Sequence, residues 1–360
     1  MAPFSTDPAG RLGEFGEKVR KGIPALLRHY QSTTDGGTVC YVDQPGKPRR
    51  VRPWCDALEI GAAFRLLPES MTREQWISAL RRFQNSETGL VPEHIPDDSR
   101  FNDPAFADRY NTMIVNYALE CLGSSLAYSV TNAEAIDADH LVAVLDHLDW
   151  SNNAWNAGHW VDCYASCLWV NQNYFGQGRQ IERLFSWLEA HCDPKSGLWG
   201  SWCEKDRWLL PVNGFYRLTR GTYAQFNRPL PLPEKAIDTI LLHSTDVEFF
   251  AAGRGNACHV LDVVHPLWLC LQQTDYRRDE VHRWILARLP LALEQWQPER
   301  GMAFDPVAKT DQGQPGLQGT EMWLSIIYLM ADLLGLAGNL SYKPQGVHRL
   351  PPASARECCF

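Results

Sequence analysis

Apolar residues recur along the chain in two alternating patterns, and both predict helix. In the first, charged residues are mixed with apolar ones spaced three and four apart, as in a helix with one buried face. It covers residues 12–30, 73–84, 138–148, 180–191, 233–243 and 278–296. The second pattern is apolar nearly all round and begins near Trp54, Tyr110, Gly158, Val212, Asn256 and Gln318. Helices of this kind are expected to be buried on every side. The two kinds alternate, and a punctuated loop precedes each apolar stretch. Gly89, Gly197, Gly253 and Gly301 occupy comparable places in four of these loops.

The apolar stretches start roughly every fifty residues, a period that signals stacked supersecondary units. Six helical hairpins are therefore expected to close into one all-α ring over residues 1–338, with the apolar helices inside. The Pro-rich stretch 227–233 reads as an extended link between helices. Residues 339–360 carry Pro344, Pro351 and Pro352 and little periodicity, and are expected to form a wrapping or partly mobile C-terminal tail.

At this point the chain resembles the (α/α)6 barrel enzymes. One branch holds the six-hairpin glycosidases with related sugar lyases and epimerases. The other, more distant, holds the terpenoid-cyclase and protein-prenyltransferase toroids. The resemblance covers roughly residues 12–338 and is architectural, carried by the hairpin period and by Gly-aromatic loops at 196–200 and 300–304. It implies an enzyme with a funnel-shaped site. The acidic D-D-x-x-D and D-x-D-D motifs of terpene cyclases are missing.

Candidate chemistry gathers where the apolar helices begin. If these helices all point one way, their first turns meet at one mouth, where backbone N–H groups favour negative charge. Polar residues there are Asp56, Tyr110, Asn111, His159, Asp162, Asn213, Asn256, His259, Asp262, Gln318 and Glu321. A lone buried carboxylate costs several kcal/mol, on the order of magnitude, unless it is paired, bonded or protonated. Two H-x-x-D pairs, His159 with Asp162 and His259 with Asp262, open the third and fifth apolar helices. Residues three apart share a helix face.

Asp162 and Asp262 are the expected acid/base pair, and His159 and His259 the orienting or proton-transferring partners. Asp56 and Glu321 are expected to bind or to act electrostatically. Trp54, Trp160 and Trp199 are expected to stack on substrate. Tyr110, Asn111, Asn213, Asn256 and Gln318 complete the expected binding set. Glu93, His94, Asp98 and Asp103 on one charged loop, with Glu204 and Asp206 on another, are secondary candidates. No cofactor is expected, although the two H-x-x-D pairs could hold a divalent metal.

The formal charge of −8 disfavours nucleic acid as a partner. No run of 18 apolar residues predicts a membrane span. The 11 cysteines, many within apolar helical text, fit free thiols in a cytoplasmic protein. The function these features favour is glycoside hydrolysis, elimination or epimerisation of a sugar or sugar-derived small molecule. A terpene or prenyl cyclase and a non-catalytic helical scaffold are the rival readings.

Overall fold

The computed structural model describes residues 7–33, 39–92, 104–251, 254–349 and 358–360. Helix dominates them. The first six long helices are α1 (Pro8–Tyr30), α2 (Arg52–Ala63), α3 (Arg73–Arg81), α4 (Pro104–Cys121), α5 (Ala138–His147) and α6 (Ala154–Phe175). The next six are α7 (Ile181–His191), α8 (Leu209–Thr219), α9 (Pro233–Ser244), α10 (Ala257–Cys270), α11 (Arg278–Leu293) and α12 (Leu317–Leu333). The only strands among the described residues are two short antiparallel pairs. β1 (Gln31–Thr33) pairs with β2 (Val39–Tyr41), and β3 (Met302–Ala303) with β4 (Pro315–Gly316).

The two sequence patterns become two kinds of helix. α7 buries one stripe, Ile181, Leu184, Phe185, Trp187 and Leu188, and turns its charges to solvent. α10 is apolar all round, and every residue except His259 is buried. The even-numbered helices pack against one another in order: α2 on α4, α4 on α6, α6 on α8, α8 on α10 and α10 on α12. α12 in turn packs on α2. Odd-numbered α1, α3, α9 and α11 pack against even-numbered neighbours.

The seam between α6 and α8 is close, because Gly158, Gly214 and Gly221 lie along it. A Cβ on Gly158 would stand 2.2 Å from the Gly214 carbonyl oxygen. One on Gly221 would stand 2.4 Å from Asp162 Oδ1 and 2.6 Å from its backbone oxygen. Gly221 lies in a π-helical turn, Arg220–Ala224, that continues α8. Such turns interrupt the α-helical register and are common at functional sites. Here the turn lets the backbone approach Asp162 closely. Gly221→Ala is expected to cost about 1–3 kcal/mol through overpacking, read by denaturant unfolding. A variant as stable as the parent would show that the seam can part freely.

The C-terminal stretch returns to the middle of the fold. A 3-10 turn, Gly346–His348, packs against α4, and the Val347 N–H donates to Glu59 of α2 at 3.0 Å. His348 is buried, and Arg349 pairs with Glu120 at the end of α4. Little in the polar text of this tail announced that it would enter the helical core.

Candidate functional site

Every even-numbered helix sends polar groups into one cluster. α2 supplies Arg52 and Asp56, α4 Tyr110, and α6 His159 and Asp162. α8 and its π-turn supply Asn213, Tyr216, Arg217 and Arg220. α10 supplies Cys258, Asp262 and His265, and α12 supplies Glu321. Tyr110 feels the charges of Arg52, Arg217 and Arg220, and Cys258 those of Arg217 and Arg52, so the group is one electrostatic unit. Asp162 and Asp262 are fully buried, while Arg52, Tyr110, His159 and Arg217 keep partial exposure.

Asp162 is the most firmly held group. Arg220 donates to both of its oxygens, through Nε at 3.3 Å and through a short contact from the second nitrogen. Burial alone would raise this carboxyl, but Arg220 and His159 more than offset it and hold it below its ordinary value. His159 Nδ1 stands 3.8 Å from Asp162 and 3.7 Å from Cys163 Sγ. Burial lowers the imidazole to about 4 even though Asp162 opposes the shift, so His159 is neutral at pH 7. The Tyr110 ring lies edge-on to it, 5.2 Å away.

Asp262 stands in the opposite state. Burial pushes its carboxyl well above the ordinary range, and Arg217 and Arg220 recover only part of the shift. With its amide nitrogen turned to the carboxyl, Asn213 donates to Asp262 Oδ2 at 3.2 Å and to the Leu209 carbonyl at 3.2 Å. Asp262 Oδ1 has no partner. Asp56 is intermediate: burial raises it to about 7, against the pull of Arg52 at 3.4 Å. Arg52 also donates to the Tyr110 hydroxyl at 2.6 Å.

Below these groups runs a chain of buried bonds. Arg220 donates to the Tyr216 hydroxyl at 3.2 Å, and that hydroxyl lies 2.8 Å from His348 Nε2. His348 Nδ1 is 2.7 Å from Glu321, which also accepts from Ser325 at 3.1 Å. Burial raises the Glu321 carboxyl, but His348 and Arg52 outweigh this and hold it low. His348→Ala strands Glu321 and is expected to cost at least about 1–3 kcal/mol in chemical denaturation. Its sign with pH is fixed. A lowered carboxyl stabilises above its ordinary value of 4.5, so the deficit should shrink as pH falls through that range. A deficit that ignores pH would remove Glu321 from the explanation.

The two H-x-x-D pairs diverge. His159 faces Asp162, whereas the His259 ring lies 5.8 Å from that of Phe249 and 6.5 Å from that of Phe250, beside His243. Asn256 is the N-cap of α10 and accepts from the His259 N–H at 2.9 Å. Asn111 is buried with an unpartnered amide nitrogen, and the Gln318 N–H donates to Asp43.

The three indoles have packing neighbours. Trp54 meets Trp76 and Phe83 edge-on, and Trp160 stacks on Tyr164 with Arg109 near its ring. Trp199 stacks with Phe215 and Tyr223, and its N–H donates to the Leu188 carbonyl. Glu204 and Asp206 lie in the turn bridged by Cys203 and Arg207, with Glu204 exposed. Glu93, His94, Asp98, Asp103 and Gly253 lie outside the described residues.

Sequence reasoning passed over Arg52, Tyr216, Arg217, Arg220 and His348. The signal for two of them was present: Arg217 and Arg220 stand three apart in apolar text, an expensive placement for charge. Among the described residues, His159, Asp162 and Cys163 form the one group close enough to share a metal ion. The group fits a metal poorly. Arg220 already occupies both oxygens of Asp162, and burial keeps Cys163 a thiol where a ligand must be a thiolate. No described helix is long and apolar enough to cross a membrane. No protein-family model matches the chain, and no curated protein is significantly similar to it.

Proposed function

We propose that the protein is an enzyme performing acid–base chemistry on a sugar or sugar-derived small molecule, at the polar cluster that the even-numbered helices share. Its frame would be an (α/α)6 barrel of six hairpins over residues 1–338, a reading supported by the order in which those helices pack, α2 through α12 and back to α2. The observation that carries the function is the split between two carboxyl groups in one cluster. Arg220 holds the Asp162 carboxyl below its ordinary value, and burial holds that of Asp262 well above its own. Environments that drive two such groups apart assign an acid and a base.

Asp262 is the proton donor in this reading. His159, neutral and partly exposed, is the acceptor, and Asp162 orients it and favours the imidazolium that forms. Asp56, raised to about 7, is poised to exchange a proton near neutrality. Glycoside hydrolysis, elimination and epimerisation all need such a pair.

One observation favours the cyclase alternative: a buried, protonated carboxyl like Asp262 can protonate an alkene. The three guanidinium groups of Arg52, Arg217 and Arg220 count against it, since a developing carbocation beside them would be repelled.

Thermal unfolding with mono- and disaccharides, and with isoprenoid diphosphates plus magnesium, tests the reading. A saccharide at 100 times its dissociation constant should add about 2.7 kcal/mol to the native state. Turnover of that saccharide should fall by about 10²–10⁴ in Asp262→Asn. Stabilisation by diphosphates alone would promote the cyclase, and a protein that binds none of them would leave the scaffold.

A further inference from the structure

We propose that this cluster binds an oxyanion, a carboxylate or phosphate group carried by the small-molecule ligand, with Arg217 as its principal receptor and Arg52 beside it. The inference deepens the proposed function and rests on it for the sugar portion of the ligand.

The argument is one of unmatched charge. The cluster holds three guanidinium groups and four carboxyl groups, and each carboxyl already has a partner. Asp162 is bonded by Arg220, Asp56 lies 3.4 Å from Arg52, Glu321 meets His348, and Asp262 meets Asn213. Arg217 has no carboxylate within ion-pair distance among the described residues, and its Nε is buried without a partner. Its guanidinium lies 5.6 Å from the centre of the Tyr216 ring, with the Cys258 thiol as a polar neighbour. That thiol supplies no counter-charge, because burial keeps it protonated. Burial and Arg220 oppose the charge of Arg217, while Cys258, Tyr216 and Asp262 favour it.

A buried cation facing other cations is costly unless an anion joins it. Arg217 is also placed to be reached. It keeps partial exposure and acts electrostatically on Tyr110 and His159, which are also partly exposed. The N-terminal ends of α2 and α10, which carry Arg52 and Cys258, add the positive end of the helix dipole. A guanidinium matches the two oxygens of a carboxylate or phosphate, and such bonds are the strong ones.

Calorimetric titration with glucuronate, glucose 6-phosphate, glucose and inorganic phosphate, on the parent, Arg217→Gln and Arg217→Lys, tests this. At least one charged sugar should bind about tenfold or more tighter than glucose. Arg217→Gln should lose that advantage and Arg217→Lys should keep part of it. Which sugar binds separates carboxylate from phosphate. Glucose binding as tightly as both charged sugars, unchanged in Arg217→Gln, overturns the oxyanion and leaves the sugar reading standing. Inorganic phosphate binding through Arg217 as tightly as glucose 6-phosphate keeps the oxyanion and removes the sugar. If no charged probe binds, the oxyanion proposal falls.

Discussion

Replacing Arg220 with Met is expected to destabilise the protein by about 3–5 kcal/mol, the largest single loss of stability in the cluster. The reason is the carboxylate left behind. Asp162 is fully buried, and Arg220 is the one guanidinium that bonds both of its oxygens. Gly221 leaves no room for a side chain that might reach in as a substitute. Once the guanidinium is gone, Asp162 must take up a proton or remain an uncompensated ion, and both outcomes weaken the native state. The double variant Arg220→Met with Asp162→Leu should recover much of the loss, because replacing a buried pair by apolar residues is often close to neutral. Urea unfolding of the two single variants and the double variant supplies the cycle. A single-variant loss below about 1 kcal/mol would mean that the pair is solvated and contributes no more than a surface bridge does.

Asp262→Asn should have the largest effect on turnover, lowering kcat by about 10²–10⁴ while leaving the fold intact. Asn keeps the shape of the protonated carboxyl but has no proton to give. Its effect on stability has a definite sign. The Asp262 carboxyl is raised in the folded protein, while the unfolded chain loses that proton near 3.8. From there upward the native state binds more protons than the unfolded state, so this group's contribution is present at low pH and is lost as pH rises. Asn carries no such dependence. The stability of the parent relative to Asp262→Asn should therefore fall as pH rises above about 4, by up to about 1.4 kcal/mol per unit. A constant or rising difference would show that Asp262 ionises in the native protein. A variant that folds, binds ligand and turns it over at the parental rate would remove Asp262 from the chemistry.

The helices were legible because their signal is local. The stripe of α7 and the uniformly apolar text of α10 each report their surroundings over a dozen residues. The site was legible only in part. His159 and Asp162 meet because residues three apart on α6 share a face. The same spacing on α10 left His259 among Phe249 and Phe250, because partners outside the helix decide what each face meets. The long-range groups gave no readable pattern. His348 reaches Tyr216 across 132 residues of sequence and Glu321 across 27. Counting acids along the chain also hid the arginines. Asp162 was read from sequence as one of an acid/base pair with Asp262, and in the fold it is one half of a buried ion pair whose other half, Arg220, sits 58 residues away.

The split between Asp162 and Asp262 can be measured without any substrate. Infrared difference spectra at pH 7, parent against Asp262→Asn and parent against Asp162→Asn, report each carboxyl directly. The account predicts that the C=O stretch of a protonated carboxylic acid disappears with Asp262, and that the paired bands of a carboxylate disappear with Asp162. Carboxylate bands lost in both spectra would mean that Asp262 is ionised at neutral pH, and the assignment of it as the acid would be wrong.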